Sequence, residues 1–171
     1  MSEVQDQRYA QAAAEFGAAL QRLARASEAN PERRRDLLQE MHVALWRSFA
    51  AYDERCSLRT WIYRVAHNVA ATHVDKERRF NRATVTLDDI EHLPSGANIE
   101  AEAEESDAVV RLNAIIRRLK SPDRQIITLY LEGEDAAGIA EVTGLSPGAI
   151  ATRVSRLKSA LAKHFTETAH V

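Results

Sequence analysis

The stretch SLRTWIYRVAHNVAATHVDKERR, residues 57–79, has the apolar spacing of a helix but carries more polar and aromatic groups than packing requires. Ser57 is the predicted N-cap, because its hydroxyl can accept a hydrogen bond from a free amide of the first turn. The predicted buried stripe consists of Leu58, Trp61, Ile62, Val65 and Val69. The remaining aromatic, amide and basic side chains predict a helix that binds a ligand as well as packing.

Two more helices are predicted before this stretch. The first covers residues 10–28, and the second begins near Pro31, a residue that suits the first turn of a helix. In the second helix apolar residues recur every four positions, at Leu37, Met41, Leu45 and Phe49. The segment AAYDERCS breaks the period and is predicted to be a loop.

The composition indicates a folded intracellular protein. The chain has 171 residues, enough for one ordinary domain or two small ones, and 45% of them are hydrophobic. No run of about 18 apolar residues predicts a membrane span, and the first residues lack the pattern of a signal peptide. Cys56 is the only cysteine, so no internal disulfide is expected and a reducing cytoplasm is predicted.

Charge divides the chain into three parts. Residues 1–82 carry a net +3, residues 83–107 carry eight acids and no Lys or Arg, and residues 108–171 again carry +3. The net charge of −2 therefore does not exclude nucleic acid, because binding follows the local field. The acidic part, which contains LPSGAN and EAEAEES, is predicted to be a flexible linker.

The helical period returns after the acidic part. One predicted helix starts at Asp107, with apolar residues at 109, 112, 115, 116 and 119, and Ser121-Pro122 ends it and starts another. The sequence GEDAAGIAEVTGLSPGAIATRVSRLKSAL, residues 133–161, then follows the pattern of a helix-turn-helix.

In that motif a short helix covers residues 135–143, Gly144 supplies a left-handed residue, and Ser146 caps the second helix with Pro147 in its first turn. A small core is expected from Ile139, Val142, Leu145, Ile150, Val154 and Leu157. The polar residues expected to face outward, into a DNA major groove, are Thr152, Arg153, Ser155, Arg156 and Lys158. The alternative is a helical hairpin whose basic face is only solvated.

Taken together, these motifs resemble the extracytoplasmic-function group of bacterial RNA polymerase sigma factors, in the sigma-70 family. Residues 36–79, which begin with DLLQE and contain SLRTWIYRVAHN, resemble region 2, and residues 119–161 resemble region 4. The resemblance implies an all-α protein with two small helical domains, residues 1–82 and 108–171, joined by the acidic linker 83–107. It also implies a non-enzymatic role in promoter recognition, strand opening and transcription initiation, with no cofactor.

The resemblance assigns three binding surfaces. The helix that docks on the β′ clamp helices of core RNA polymerase carries Asp36, Leu37, Gln39 and Glu40. The surface for the −10 promoter element comprises Tyr52, Asp53, Arg59, Trp61, Tyr63, Arg64, Asn68, Lys76, Arg78 and Arg79, with Arg82 as a further phosphate contact. The −35 surface comprises Ser146, Pro147, Thr152, Arg153, Ser155, Arg156 and Lys158. The polymerase β flap and an anti-sigma factor are further partners that the family implies.

Some of these residues have a structural interpretation as well. Trp61 lies in the apolar stripe, so a core position is as well supported as a role in strand melting, whereas Tyr63 is expected to be exposed. Asn68 could read a base edge, although asparagines on helices are usually just solvated. Arg153 could bind DNA or pair with the neighbouring short helix.

Enzymatic function finds no support in the sequence. Cys56 and His67 are interpreted as a loop thiol and a helix-surface histidine, because nothing orients them as nucleophile and base. The histidines show no metal-ligand spacing, so no metal site is predicted. Two non-enzymatic alternatives remain: a stand-alone helix-turn-helix regulator, and an interaction module that sequesters a partner through its apolar helices.

Overall fold

The computed structural model describes residues 2–81 and 106–169. The elements within these ranges are α-helices: α1 Glu3–Ser27, α2 Pro31–Ser48, α3 Leu58–Asn81, α4 Asp107–Arg118, α5 Ser121–Leu131, α6 Ala136–Thr143 and α7 Pro147–Ala169. The predicted all-α class is confirmed. None of the described helices has an apolar stretch long enough to cross a bilayer. Most of the predicted linker, residues 83–105, and Arg82 lie outside the described residues.

The first three helices pack into an N-terminal unit. Its core is formed by the large side chains of Leu20, Leu37, Met41, Leu45 and Ile62, each almost completely buried. Burying one such side chain contributes about 1.5–3 kcal/mol, so this core holds the unit together. The four-residue step predicted for α2 is confirmed, because Leu37, Met41, Leu45 and Phe49 are all buried.

Helix α1 begins seven residues earlier than predicted. The Ser2 hydroxyl accepts a hydrogen bond from the Gln5 amide at 3.2 Å and caps the helix. The Gln5 side chain is buried and donates to the Trp46 carbonyl at 2.7 Å, while the Trp46 indole donates to Asp6 at 2.8 Å. The first turns are thus anchored to α2 by polar side chains, which apolar periodicity does not detect.

An ion cluster ties the end of α1 to α2 and α3. Arg33 lies 3.2 Å from Glu77 and 3.6 Å from Glu28, and the His73 ring lies 2.8 Å from Glu28. Burial opposes ionisation of Glu28, but hydrogen bonds from Asn30 and His73 and the Arg33 charge outweigh it and lower the Glu28 pKa. Glu28, His73 and Glu77 have the spacing of possible metal ligands, but Arg33 already pairs with both carboxylates. The cluster therefore links the end of α1 to α2 and α3 by ion pairs and hydrogen bonds.

Helix α3 is buried on more sides than its stripe predicts. Ser57 caps it as expected, because its hydroxyl accepts from the Thr60 amide at 3.1 Å. In the predicted stripe Ile62 is completely buried but Val65 and Val69 are only partly covered, whereas Tyr63 and His67 are 4% exposed. The expectations of an exposed Tyr63 and a surface His67 are therefore wrong. The physical reason is that the C-terminal helices cover a second side of α3.

The last four helices form a C-terminal unit around Ile116, Leu119, Ile126, Ile127 and Leu129. Helix α4 begins at Asp107, where the period is predicted to return, and the Ser106 side chain caps it. Ile115 and Ile116 of α4 are buried as expected, but in the first turn Val110 is buried and Val109, expected in the stripe, is 43% exposed. The two units pack against each other, with α4 beside α1 and α6 beside α3.

The helix-turn-helix forms as predicted. Asp135 caps α6, Gly144 ends it with φ +77°, and the Ser146 hydroxyl accepts from the Ala149 amide at 3.3 Å. Only glycine adopts such a left-handed conformation without strain, which accounts for Gly144 in the turn. Ile139, Ile150 and Leu157 are buried, but Leu145 is 36% exposed, so its expected core position is wrong.

Candidate nucleic-acid interface

The DLLQE segment of α2 separates its apolar residue from its polar ones. Leu37 is 1% exposed and lies in the core, whereas Asp36, Gln39 and Glu40 are exposed. Three side chains with acceptor oxygens are therefore presented to solvent by a helix that its own leucine anchors. Such a surface suits a basic protein partner, because its carboxylates complement positive charge.

An open groove of about 800 Å³ lies between α2 and α3. Its α2 wall includes Asp36, Gln39, Glu40 and the half-exposed Val43, and its α3 wall includes Asn68 and Lys76. The residue proposed to read a base therefore lies on the same groove as the residues proposed to dock on the polymerase. The sequence alone did not indicate this proximity.

The loop before α3 is held by its aromatic residues. The Tyr52 hydroxyl donates to the Cys56 carbonyl at 2.8 Å, and the centres of the Tyr52 and Trp61 rings are 5.1 Å apart. The Trp61 indole donates to the Ser48 hydroxyl at 2.9 Å and is partly exposed. Trp61 is thus held in place by Ser48 and Tyr52 while part of the residue stays exposed to solvent. Asp53 is exposed and pairs with Arg55 at 2.9 Å.

Tyr63 is unavailable to bases in this arrangement. Its ring packs edge-on against Phe16, and the Arg59 guanidinium lies over it, 5.4 Å from the ring centre. Burial raises the pKa of its hydroxyl. Tyr63 therefore lies in the packing of α1 against α3, near Glu132 and Glu134 of the C-terminal unit, in contrast to the stacking surface predicted for it.

His67 is enclosed one turn further along α3. Its pKa is lowered to about 3, first by loss of solvent and then by the positive charge of Arg124 in α5. A histidine with this pKa is neutral at physiological pH and does not act as a proton acceptor there. The neighbouring charge on α5 places His67 close to the contact between the two units.

The basic residues predicted for −10 DNA fall into two groups. Arg59, Arg64 and Arg78 are bonded to the C-terminal unit: Arg59 to Glu134, Arg64 to the Glu141 carbonyl at 2.7 Å, and Arg78 to the Leu119 carbonyl. Lys76 and Arg79 are exposed, as is Asn68. Arg59 and Arg64 are nevertheless exposed, so the C-terminal unit engages part of the predicted −10 surface without covering it.

Helix α7 exposes its whole predicted surface. Ser146 and Pro147 lie exposed at its start, and Thr152, Arg153, Ser155, Arg156 and Lys158 are all exposed along it. Arg153 donates to Asp123 of α5 at 2.8 Å, so its structural partner is α5 and not the short helix α6. The Lys158 ammonium lies 5.4 Å from the centre of the Tyr130 ring. Arg156 makes no ion pair among the described residues.

Sequence reasoning missed the turn between α5 and α6. Glu132 and Glu134 flank Gly133, which has φ +87°, and both glutamates pair with arginines of the N-terminal unit. The Glu-Gly-Glu sequence predicts a turn. It does not indicate which residues that turn will contact, because the contacts join positions more than 70 residues apart.

Family comparisons cover both units. The profile described as Sigma-70 region 2 matches residues 13–80, and the profile described as Sigma-70 region 4 matches residues 110–161. The ECF RNA polymerase sigma factor SigC of Mycobacterium tuberculosis is 31% identical over 127 residues. That match covers 74% of this chain and 66% of SigC, so it spans just under two thirds of the relative's length.

Two further relatives extend the likeness to the whole fold. The sigma factor CnrH of Cupriavidus metallidurans is 26% identical over 160 residues, covering 90% of this chain and 84% of CnrH. The structure of CnrH with the cytosolic domain of CnrY covers 96% of both chains, with a TM-score of 0.67 and 21% identity. The Bartonella quintana sigma factor RpoE, solved with the anti-sigma factor NepR, gives a TM-score of 0.70 at 19% identity over 92% of this chain and 96% of RpoE. With regions 2 and 4 matched in order, the chain belongs to the extracytoplasmic-function group of the sigma-70 family of RNA polymerase sigma factors.

Proposed function

We propose that this chain binds core RNA polymerase, directs it to promoters and takes part in strand opening and transcription initiation. The observation that carries the proposal is the presence, in one chain, of region 2 and region 4 matches whose proposed contact residues are largely exposed polar groups. No catalytic step by the chain itself and no cofactor is required for this role. Its proposed domains are residues 1–82 and 108–171, with 83–107 as the connector, and its proposed compartment is the cytoplasm.

Core docking is assigned to α2. Asp36, Gln39 and Glu40 offer acceptors to a basic surface, and Val43 adds an exposed apolar contact beside them. The β′ clamp helices are the proposed partner of this face. The interaction resembles other charged interfaces, in which complementary potentials set orientation and association rate.

Recognition of the −35 element is assigned to α7. The exposed side chains of its first three turns suit a major groove, where arginine reads guanine and threonine or serine contacts phosphates or bases. Arg156 is the leading candidate for a DNA contact, because Arg153 is already paired with Asp123.

Recognition of the −10 element is assigned to α3 and the loop before it. Asn68, Lys76 and Arg79 are exposed, and Tyr52 and Trp61 supply a pair of aromatic rings at the start of the same unit's helix α3. Stacking of a base on an aromatic ring is worth about 1–3 kcal/mol, which favours single-stranded over duplex DNA. Arg59, Arg64 and Arg78 join this surface only when the C-terminal unit moves away.

An anti-sigma factor is a proposed regulatory partner. CnrH and RpoE were each solved with a partner protein, and NepR is described as an anti-sigma factor. The β flap of the polymerase is the proposed second contact on the enzyme, made by the C-terminal unit.

The decisive experiment combines co-purification with core RNA polymerase and run-off transcription from a promoter library. We expect a stable complex with core enzyme and transcripts that start downstream of a shared pair of sequence elements. The variant Asp36→Ala/Glu40→Ala should reduce both complex formation and transcript yield. The matched control Glu3→Ala/Glu167→Ala removes two exposed acids elsewhere and should reduce neither. Binding to duplex DNA without any association with core enzyme would instead support a stand-alone regulator.

A further inference from the structure

The turn between α5 and α6 contacts the basic side of the N-terminal unit. Glu132 makes a bidentate ion pair with Arg22 of α1, with N–O distances of 2.6 and 2.8 Å. Glu134 pairs with Arg59 of α3, and Arg59 also donates to the Glu132 carbonyl at 3.2 Å. Two acids in three residues are therefore matched to two arginines from different helices.

Gly133 allows both acids to point the same way. Its φ of +87° is a left-handed conformation that other residues adopt only with strain. The carboxylates end up 10% and 13% exposed, whereas their arginine partners remain about half exposed. The acids are thus held in the contact between the units, and only the arginines keep substantial access to water.

Helix α6 extends the same contact. The Thr60 hydroxyl donates to the Glu141 carboxylate at 3.0 Å, and Arg64 donates to the Glu141 carbonyl at 2.7 Å. Further along α3, Arg78 donates to the Leu119 carbonyl. Each contact uses a donor of α3 that is then unavailable to another acceptor.

A carboxylate and a DNA phosphate compete for the same guanidinium. Both are anions that arginine binds with paired, charge-assisted hydrogen bonds. An arginine that is paired with Glu134 must give up that pair before it can contact phosphate in the same geometry. The contacts made by Glu132, Glu134 and Glu141 are together called the acidic latch. They compete with DNA for the N–H groups that Arg59 donates to Glu134 and to the Glu132 carbonyl, and that Arg64 donates to the Glu141 backbone carbonyl.

We propose that the acidic latch holds the free chain closed, with the C-terminal unit bonded to the basic side of α3, while the DNA-facing side of α7 stays exposed. This inference rests on the proposed function for its biological meaning, because it assumes that the arginines bonded to the C-terminal unit serve −10 DNA. The latch itself is a property of the chain alone. It makes the free chain a weak binder of single-stranded DNA until the two units separate.

The first experiment measures closure without DNA or polymerase. Fluorescent dyes are placed on Gln11→Cys and Ser159→Cys, two exposed positions in different units, in a Cys56→Ser background. Glu132→Gln/Glu134→Gln keeps side-chain size but removes both charges. We expect a fall in energy-transfer efficiency, equivalent to a roughly 2- to 30-fold shift from closed to open for two partly exposed ion pairs. Added salt should produce the same fall in the unsubstituted chain and little further change in the variant.

The matched control is Glu3→Gln/Glu167→Gln, which changes the net charge equally at two exposed positions outside the contact. Its efficiency should equal that of the unsubstituted chain. A charge exchange guards against a variant that merely misfolds: Arg22→Glu alone should open the chain, and Arg22→Glu/Glu132→Arg should close it again. Unchanged efficiency in the glutamine variant, or no recovery in the charge exchange, overturns the latch.

The second experiment tests whether closure hides the DNA surface. The probe is a labelled single-stranded dT12 oligonucleotide, titrated at low salt. We expect tighter binding to Glu132→Gln/Glu134→Gln than to the charge-matched control, by the same 2- to 30-fold. Equal binding by these two variants, despite an open glutamine variant, overturns the occlusion of DNA. If both experiments give the expected results but the chain does not bind core enzyme, the latch stands and only the proposed function is contradicted.

Discussion

At the scale of single residues, His67 shows how burial sets chemistry. The ring is almost completely covered, and its pKa is lowered to about 3. In the unfolded chain a histidine has a pKa near 6.5. Because the folded state disfavours the protonated ring, the contribution of His67 to stability is fully present above about pH 6.5 and is lost as the pH falls below that value.

We predict that acid destabilises the unsubstituted chain more than a His67→Gln variant. One proton taken up on unfolding lowers the free energy of unfolding by about 1.4 kcal/mol for each pH unit of acidification. Between pH 6.5 and 5 the unsubstituted chain should therefore lose about 2 kcal/mol more stability than the variant. Urea unfolding of both chains at several pH values measures it. The carboxylates titrate equally in both chains and cancel in the comparison, and parallel stability curves would show that His67 is hydrated in solution.

Asn68 carries the second prediction at this scale. It is exposed on the groove that also contains Asp36 and Glu40, and an amide can donate to and accept from one base edge. We predict that Asn68→Ala changes the ranking of promoters in run-off transcription from a library, while affinity for core enzyme changes less than about twofold. Because the groove is shared, an equal loss at every promoter together with weakened core binding would assign Asn68 to docking instead.

At the scale of helices, periodicity and capping predicted most of the secondary structure. The starts of α2, α3 and α7 follow from Pro31, Ser57 and Ser146, whose local chemistry is complete within one turn. The buried face of α3 was predicted less well. The apolar period predicts a single buried face on α3. Tyr63 and His67 are buried on another face, next to the C-terminal unit. Contacts between distant segments leave no local pattern, so the sequence could not reveal that second side.

Two arginines of α7, Arg153 and Arg156, differ in whether they pair with another side chain in the described part of the chain, and this difference gives a prediction about DNA binding. Arg156 is exposed and makes no ion pair among the described residues, whereas Arg153 is paired with Asp123. We predict that Arg156→Ala in the full chain weakens binding to −35 duplexes. A lost phosphate contact should lower the salt slope by about one unit, and a lost base contact should cost about 1–3 kcal/mol at one position.

The comparison variant Arg153→Ala separates DNA binding from support of the fold. It should lower thermal stability by loss of the pair with α5, by no more than about 1 kcal/mol because the arginine is nearly half exposed. Fluorescence titrations at several salt concentrations and thermal unfolding of both variants make the comparison. If Arg156→Ala changes neither affinity, salt slope nor sequence preference, α7 is not the recognition helix.

At the scale of the whole molecule, the two proposed surfaces of the N-terminal unit differ in access. The α2 face with Asp36, Gln39 and Glu40 is exposed while the C-terminal unit is packed on the other elements, whereas Arg59 and Arg64 are engaged by it. A closed chain can therefore present its polymerase-docking face before its −10 surface becomes available. Docking of the α2 face can therefore come before opening without causing it, and DNA binding stays limited until the two units separate.

This order of events gives the last prediction. Binding of the full chain to an isolated β′ clamp coiled coil should be independent of the acidic latch, because the α2 face is already exposed. We expect Glu132→Gln/Glu134→Gln to change that affinity less than twofold, Asp36→Ala/Glu40→Ala to reduce it roughly tenfold, and the combined variant to show the sum of the two free-energy changes. Isothermal titration calorimetry of the four chains measures the cycle. A large gain in affinity on removing the latch would mean that closure also restricts the α2 face, and docking and opening would then be a single coupled step.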